Sequence, residues 1–173
     1  MKRRNFLTTT AGIAAGASLL NNPVAAAMAG ASKKKLALVG TGVRGTGFWG
    51  KRVIDNYSDI IEFVGLCDIN PGRLEFAKKY MKVNCPVYTD FEKMMAETKP
   101  EMVIVTTVDA THHKYIIRAM ELGADVLTEK PMTTDEDKCQ AILDAERRTG
   151  RKCTVGFNYR YGTLFSAIKE QLV

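Results

Sequence analysis

From Lys35 to Phe157, short apolar runs alternate with longer stretches in which apolar residues recur at helical spacing. The runs are KLALVG at Lys35–Gly40, Ile60–Cys67, Val87-Tyr88, MVIVTT at Met102–Thr107, Asp125–Thr128 and Lys152–Phe157. They are too short for helices and nearly all apolar, as expected of strands buried on both faces. The intervening stretches predict helices. Gly45–Asn56 places Phe48, Val53 and Ile54 on one side. Pro71 opens a second helix, where its missing N–H costs nothing, and Leu74, Phe76, Ala77 and Tyr80 follow. Asp90 caps Phe91–Glu97, and Thr111–Leu122 is stopped by Gly123. Thr133 and Glu136 have the spacing of a capping box for a helix that ends at Gly150.

Strands alternating with helices of this length imply right-handed crossovers and an α/β, Rossmann-like, doubly wound parallel sheet. Residues 33–158 form that domain. Tyr161–Val173 is amphipathic, with Leu164, Phe165, Ile168 and Leu172 on one side, and has no C-cap. Residues 159–173 read as the first helix of a second α/β domain, so the chain is expected to be C-terminally truncated.

Residues 1–31 have a different pattern. Lys2-Arg3-Arg4-Asn5-Phe6-Leu7 precedes a mild apolar stretch, and A-x-A patterns of small residues follow Pro23. That is the layout of a cleavable export signal, and the paired arginines resemble the twin-arginine type. The expected location is periplasmic, with no membrane association after cleavage. No apolar run approaches the ~18–20 residues that would span a bilayer as a helix.

The net charge of +6 at first suggests a nucleic-acid partner. Its distribution excludes that class. Nine of the 25 Lys and Arg lie before Asp55, where there is no Asp or Glu; after that point 16 basic residues meet 19 acidic ones, a net of −3. A mixed-charge body carries no polyanion footprint. The four cysteines form no CxxC pair. Cys67 and Cys153 lie in strand-like runs and read as small core residues. Two adjacent histidines without a spaced carboxylate give no metal site.

Candidate chemistry starts at Gly40-Thr41-Gly42-Val43-Arg44-Gly45, a GxGxxG that follows a strand and opens a helix. The first Gly permits the tight turn, the second lets backbone N–H groups approach a pyrophosphate, and the third lets helix and strand pack closely. The pyrophosphate then meets the positive end of the helix. Asp68 ends the second strand, 23 residues after Gly45. A carboxylate there accepts from both ribose hydroxyls of NAD and repels the 2′-phosphate of NADP. Arg73, close by, keeps NADP open.

Glu129-Lys130-Pro131 follows the fifth strand, at the edge where an open parallel sheet binds ligands. Pro131 restricts Lys130, and a cis bond is one way to hold it. A lysine held there points at a carbon reacting beside a nicotinamide. Thr107, Val108 and His112 follow the fourth strand. His112 either shapes the nicotinamide pocket or packs its helix, the second being favoured; His113 reads as surface and Trp49 as helix packing. Asn158, Tyr159 and Arg160 follow the sixth strand. Arg160 either binds a cofactor or substrate oxygen or serves as a hinge.

GTGVRG, CDIN, the Thr107–His112 stretch, LTEKP and VGFNYRY occur in the order seen in the Gfo/Idh/MocA oxidoreductases, which the chain resembles from Lys35 to Val173. The resemblance implies a two-domain NAD(P)-dependent oxidoreductase acting on CH–OH groups of sugars or polyols. It gives Lys130 a catalytic role and Glu129 and Pro131 positioning roles, and adds Thr107, His112, Glu129 and Lys130 to the cofactor contacts. A homo-oligomer is expected only of a form with the second domain. Two departures stand out. Val108 occupies the place of a usual Pro, which predicts a looser loop. The family's second catalytic group belongs to a domain this chain does not show. Alternatives of other kinds are a redox-assisted NAD-dependent glycosidase, an inert nucleotide-binding fragment and a Rossmann methyltransferase, the last having no use for EKP.

Overall fold

A computed structural model describes residues 32–172. The expected export signal lies outside the described residues. Among the described residues, six strands form one fully parallel sheet: β1 (Lys34–Val39), β2 (Ile61–Cys67), β3 (Val87–Tyr88), β4 (Met102–Val105), β5 (Asp125–Thr128) and β6 (Cys153–Val155). Their spatial order is β3-β2-β1-β4-β5-β6. The chain therefore leaves β1 towards β2 on one side and returns to β4 on the other. The carboxyl ends of β1 and β4 flank the point where the direction of winding reverses, and such points open a crevice.

Period-two alternation within each strand feeds two cores. Leu36 and Leu38 of β1, with Ile104 of β4 and Leu66 of β2, face one layer of helices. That layer is α1, whose first part Arg44–Arg52 is π-helical and whose last part Val53–Tyr57 is α-helical, and α2 (Pro71–Met81). Ala37 and Val39, with Val103, Val105 and Val126, face the opposite layer of α3 (Phe91–Thr98), α4 (His112–Glu121) and α5 (Glu136–Thr149). Leu38, Leu66, Ile104 and Ile116 are essentially fully buried. Each such side chain contributes about 1.5–3 kcal/mol.

Of the two N-caps the sequence named, the Asp90 cap forms, and Asn70, which it did not name, caps the helix opened by Pro71. Asn70 accepts from the N–H groups of Gly72 and Arg73, and Asp90 accepts from Lys93 N–H. The Thr133–Glu136 capping box does not form. Asp135 is the N-cap and accepts from Lys138 N–H, while Thr133 Oγ1 is buried without a partner. The turn after β5 uses the residues up to Thr134, and a carboxylate is the stronger acceptor at the positive end of a helix.

Several strands are shorter than their apolar runs. Residues after Val105 leave the ladder because Thr106 turns to bond the β1 loop. The thiols of Cys67 and Cys153 belong to the sheet. Burial, reinforced by the Asp68 carboxylate beside one and the Glu146 carboxylate beside the other, pushes both up to about 12. The last helix, α6 (Thr163–Leu172), buries none of its residues: Leu164, Phe165, Ile168 and Leu172 are all exposed. Among the described residues no helix is long and apolar enough to cross a membrane.

Candidate active site at the carboxyl edge of the sheet

The glycine loop leaves β1 with Gly40 at φ +88°, a conformation that L side chains rarely adopt. A Cβ on Gly40 would sit 2.6 Å from the Thr106 carbonyl carbon, and one on Gly45 would sit 2.2 Å from the Gly40 oxygen. Two threonine hydroxyls and one amide secure the turn. Thr106 Oγ1 donates to Gly40 O at 2.5 Å, and Thr46 Oγ1 donates to Thr41 O at 2.9 Å. Thr46 N–H donates to Gly42 O at 2.8 Å. Gly42 differs from its neighbours. A Cβ there would meet nothing within 4 Å, so the loop presents open space to whatever approaches its amides. Val43 is also exposed, at the mouth of the loop.

Asp68 is buried at 6% exposure. Its Oδ2 accepts from Thr41 N–H at 2.7 Å and from Thr41 Oγ1 at 3.0 Å, and its Oδ1 accepts from Asn70 N–H at 2.9 Å. The carboxylate thus locks the loop to the end of β2 and keeps further lone pairs for a ligand. Gly40, Gly42, Asp68, Arg73, Thr107 and Val108 line one cleft of about 390 Å³. These residues suit the adenosine and pyrophosphate parts of a dinucleotide: an open amide cradle, a fixed acid and a flanking arginine.

Val108 has a φ of −69°, the value proline would impose. Thr111 holds it there, donating from both N–H and Oγ1 to Val108 O at 2.7 Å. Thr111 Oγ1 also lies 2.9 Å from Thr107 Oγ1.

The Lys130–Pro131 bond is cis. Glu129 beside it is buried and has three donors. Its Oε1 accepts from Arg44 Nε and, at 2.9 Å, from Trp49 Nε1, while its Oε2 accepts from Lys130 N–H at 2.9 Å. Burial alone would raise this carboxyl. The hydrogen bonds from Trp49, Arg44 and Lys130 outweigh burial and hold it below the usual carboxylate value. Lys130 is exposed and projects into a second cavity of about 830 Å³, shared with Arg44, Phe48, Phe157, Asn158, Tyr159 and Arg160.

His112 takes the packing role the sequence favoured, while Arg44 and His113 sit elsewhere than it implied. His112 is 1% exposed and lines neither cavity. Its ring bridges the loop and the turn, with Nε2 3.0 Å from Thr107 O and Nδ1 3.0 Å from Pro131 O. It therefore bridges the two backbones. Arg44 turns from the glycine loop onto Glu129 and over the Phe48 ring, 4.0 Å from its centroid, so it lines the second cavity. His113 is half-buried and not a surface residue. Its Nδ1 is shielded without a partner, and burial together with Lys138 and Lys114 holds the ring below its ordinary pKa. Trp49 does more than pack: it bonds Glu129 and lies against Gly156, where a Cβ would come within 2.8 Å of the indole. Thr46 and Thr106 had no motif to mark them. Among the described residues no three His, Cys, Asp or Glu side chains converge as a metal-binding group.

The model of the Gfo/Idh/MocA family, described as an oxidoreductase family with an NAD-binding Rossmann fold, matches residues 34–157. The putative oxidoreductase YteT of Bacillus subtilis is 34% identical over 144 residues, which are 81% of this chain and 34% of YteT. The myo-inositol dehydrogenase of Lactobacillus casei, solved with NAD(H) and myo-inositol, superposes with a TM-score of 0.75 at 27% identity, covering 82% of this chain and 41% of that one. The WlbA dehydrogenase of Chromobacterium violaceum, solved with NADH and UDP-GlcNAcA, superposes with a TM-score of 0.74 at 27% identity, covering 80% and 39%. The chain thus spans 34% to 41% of the length of these relatives. With the glycine loop, the buried acid and the Glu-Lys-Pro turn on one edge of this sheet, and with the family match running across all six strands, the chain belongs to the Gfo/Idh/MocA oxidoreductases and carries their NAD-binding Rossmann fold.

Proposed function

We propose that this chain supplies the cofactor-binding side of an NAD-dependent oxidoreductase acting on a carbinol carbon of a sugar or polyol. The observation that carries the reading is the convergence of two cavities on one sheet edge, one built around Asp68 and the other entered by Lys130. NAD, when bound, accepts or donates the hydride. The protein's part is alignment and proton handling. Gly40–Gly45 and Thr107 hold the pyrophosphate region, and Asp68 accepts from the adenosine ribose and selects against a 2′-phosphate. Glu129 fixes the Lys130 backbone, and Lys130 Nζ, as the neutral amine, takes the hydroxyl proton during oxidation and, as the ammonium, returns one during reduction. Myo-inositol and UDP-GlcNAcA, bound by the two solved neighbours, support a hydroxylated ring as substrate.

Lys130→Met tests this directly. Turnover, followed as nicotinamide absorbance with a panel of sugars and polyols, should fall by about two orders of magnitude or more. NADH affinity should stay nearly unchanged, the split expected of a group acting mainly in the transition state. Normal turnover by the variant would return Lys130 to an ordinary surface lysine.

We also propose that the protein is exported by the twin-arginine route, on the strength of Arg3-Arg4 and the small-residue pattern after Pro23. Replacing both arginines by lysine should leave the precursor inside the cell. Unchanged export would exclude that route.

A further inference from the structure

The second cavity has a one-sided charge. Its lining includes three cations, Arg44, Lys130 and Arg160, and no carboxylate. Arg44 is already neutralised by Glu129. Lys130 and Arg160 have no carboxylate within 4.0 Å among the described residues. The remaining lining, Phe48, Phe157, Tyr159 and Asn158, offers ring faces and one amide, a composition that suits a compact ligand fixed by a few polar groups.

The cleft that contains Gly40, Gly42 and Asp68 is a different one, and Arg160, which follows β6, is not part of its lining. Lys130 has a proton to move. Arg160 is therefore left as a permanent cation, exposed at the mouth of the substrate side, and its planar fork matches a carboxylate or phosphate.

We propose that the sugar taken by this site carries a negative group, a carboxylate or a phosphate, and that Arg160 is the side chain that binds it. This rests on the reading that the second cavity receives the substrate. Trp49 is the protein's sole tryptophan and borders the same region beside Asn158 and Tyr159, so its indole N–H resonance is a single reporter.

The experiment titrates D-glucuronate, a hexose phosphate and D-glucose into the full 173-residue chain, with and without saturating NADH, and follows that resonance. At least one anionic sugar should bind about tenfold more tightly than D-glucose, the worth of a charge-assisted hydrogen bond; the tighter of the two identifies the anion. The preference should shrink at about 0.5 M salt. Arg160→Gln should abolish it and leave NADH affinity unchanged, and Arg160→Lys should restore part of it. Equal affinity for charged and neutral sugars would overturn the proposal, as would an Arg160→Gln variant that loses NADH and keeps the sugar preference. If NADH fails to bind, the cofactor reading falls, and the titrations without NADH still decide the matter of charge.

Discussion

The two cavities on the sheet edge are walled in opposite ways. Around Asp68 the walls answer one another. The carboxylate takes both donors of Thr41 and the amide of Asn70, Thr46 and Thr106 close the glycine loop, and Thr111 holds Val108. Around Lys130 only the base is so secured, by Glu129, Trp49 and Arg44. Above that base Phe157, Tyr159 and Arg160 stand exposed, and the α6 helix that follows presents bare apolar side chains. A site whose polar groups are satisfied within one fold is already organised for its ligand. A site with unpaired cations and exposed rings draws its order from what binds it. The comparison teaches that the Asp68 cleft is organised within this fold, while the Lys130 cavity keeps polar groups unsatisfied.

The largest effect should come from breaking the organised side at its tightest approach. In Gly45→Val the new Cβ, 2.2 Å from Gly40 O, has no room. Overpacking of this kind costs about 3 kcal/mol, a fall in melting temperature on the order of 10 °C, and NADH binding should disappear with it. A thermal melt and a calorimetric titration check both. An unaffected loop would mean that the crowding around Gly40 is not rigid.

Asp68→Ala comes next. It leaves the Thr41 N–H without its buried acceptor, which costs about 1–3 kcal/mol. It should weaken NADH at least tenfold, the worth of such hydrogen bonds, and NADPH much less, because the repulsion of the 2′-phosphate goes as well. Equal losses for the two cofactors would remove Asp68 as the selector and leave only its structural role.

Glu129→Gln probes the base of the second cavity through pH. The Glu129 carboxyl is held below its ordinary value in the folded chain. Its contribution is therefore present above the unfolded value near ~4.3 and is lost as pH falls through the lower folded value. Wild type should exceed the variant by about 1–2 kcal/mol near neutral pH, with the gap closing in acid. A gap independent of pH in urea titrations would mean that charge plays no part there.

The smallest effect belongs to Trp49→Phe. The ring still packs on Gly156 and only the indole donor to Glu129 is lost, a cost of about 1 kcal/mol in denaturant midpoint. A larger loss would show that the indole shape, and not its N–H, holds helix α1 to the turn.

How far these regions were legible follows the distance over which their determinants act. β3 at Val87–Tyr88 and β5 at Asp125–Thr128 were readable to the residue, because an apolar run bounded by turn signals is a local pattern. The Asp90 cap was readable for the same reason. The Thr133 cap was not, since the start of α5 depends on how many residues the Glu-Lys-Pro turn consumes. The π-helical start of α1 had no local signature either. In the site, Gly40, Gly42, Gly45, Asp68 and Lys130 could be named from spacing and residue type. The burial of His112 between two carbonyls and the turn of Arg44 onto Glu129 could not, because those partners meet only across the crevice.

By itself the sequence determined the order of strands and helices, the glycine turn that no other residue type would allow, and the acid that ends β2. Each of these is set by backbone sterics or by side-chain periodicity over a few residues. The tertiary structure alone decided that Trp49 donates to a carboxylate 80 residues away, that Arg44 turns onto Glu129 and lines the cavity entered by Lys130, and that Thr106 fastens a loop 66 residues earlier. Those contacts exist because β4 lies beside β1, and β5 beside β4, in the sheet. That adjacency follows from packing two layers of helices against one sheet, and no local pattern in the chain contains it.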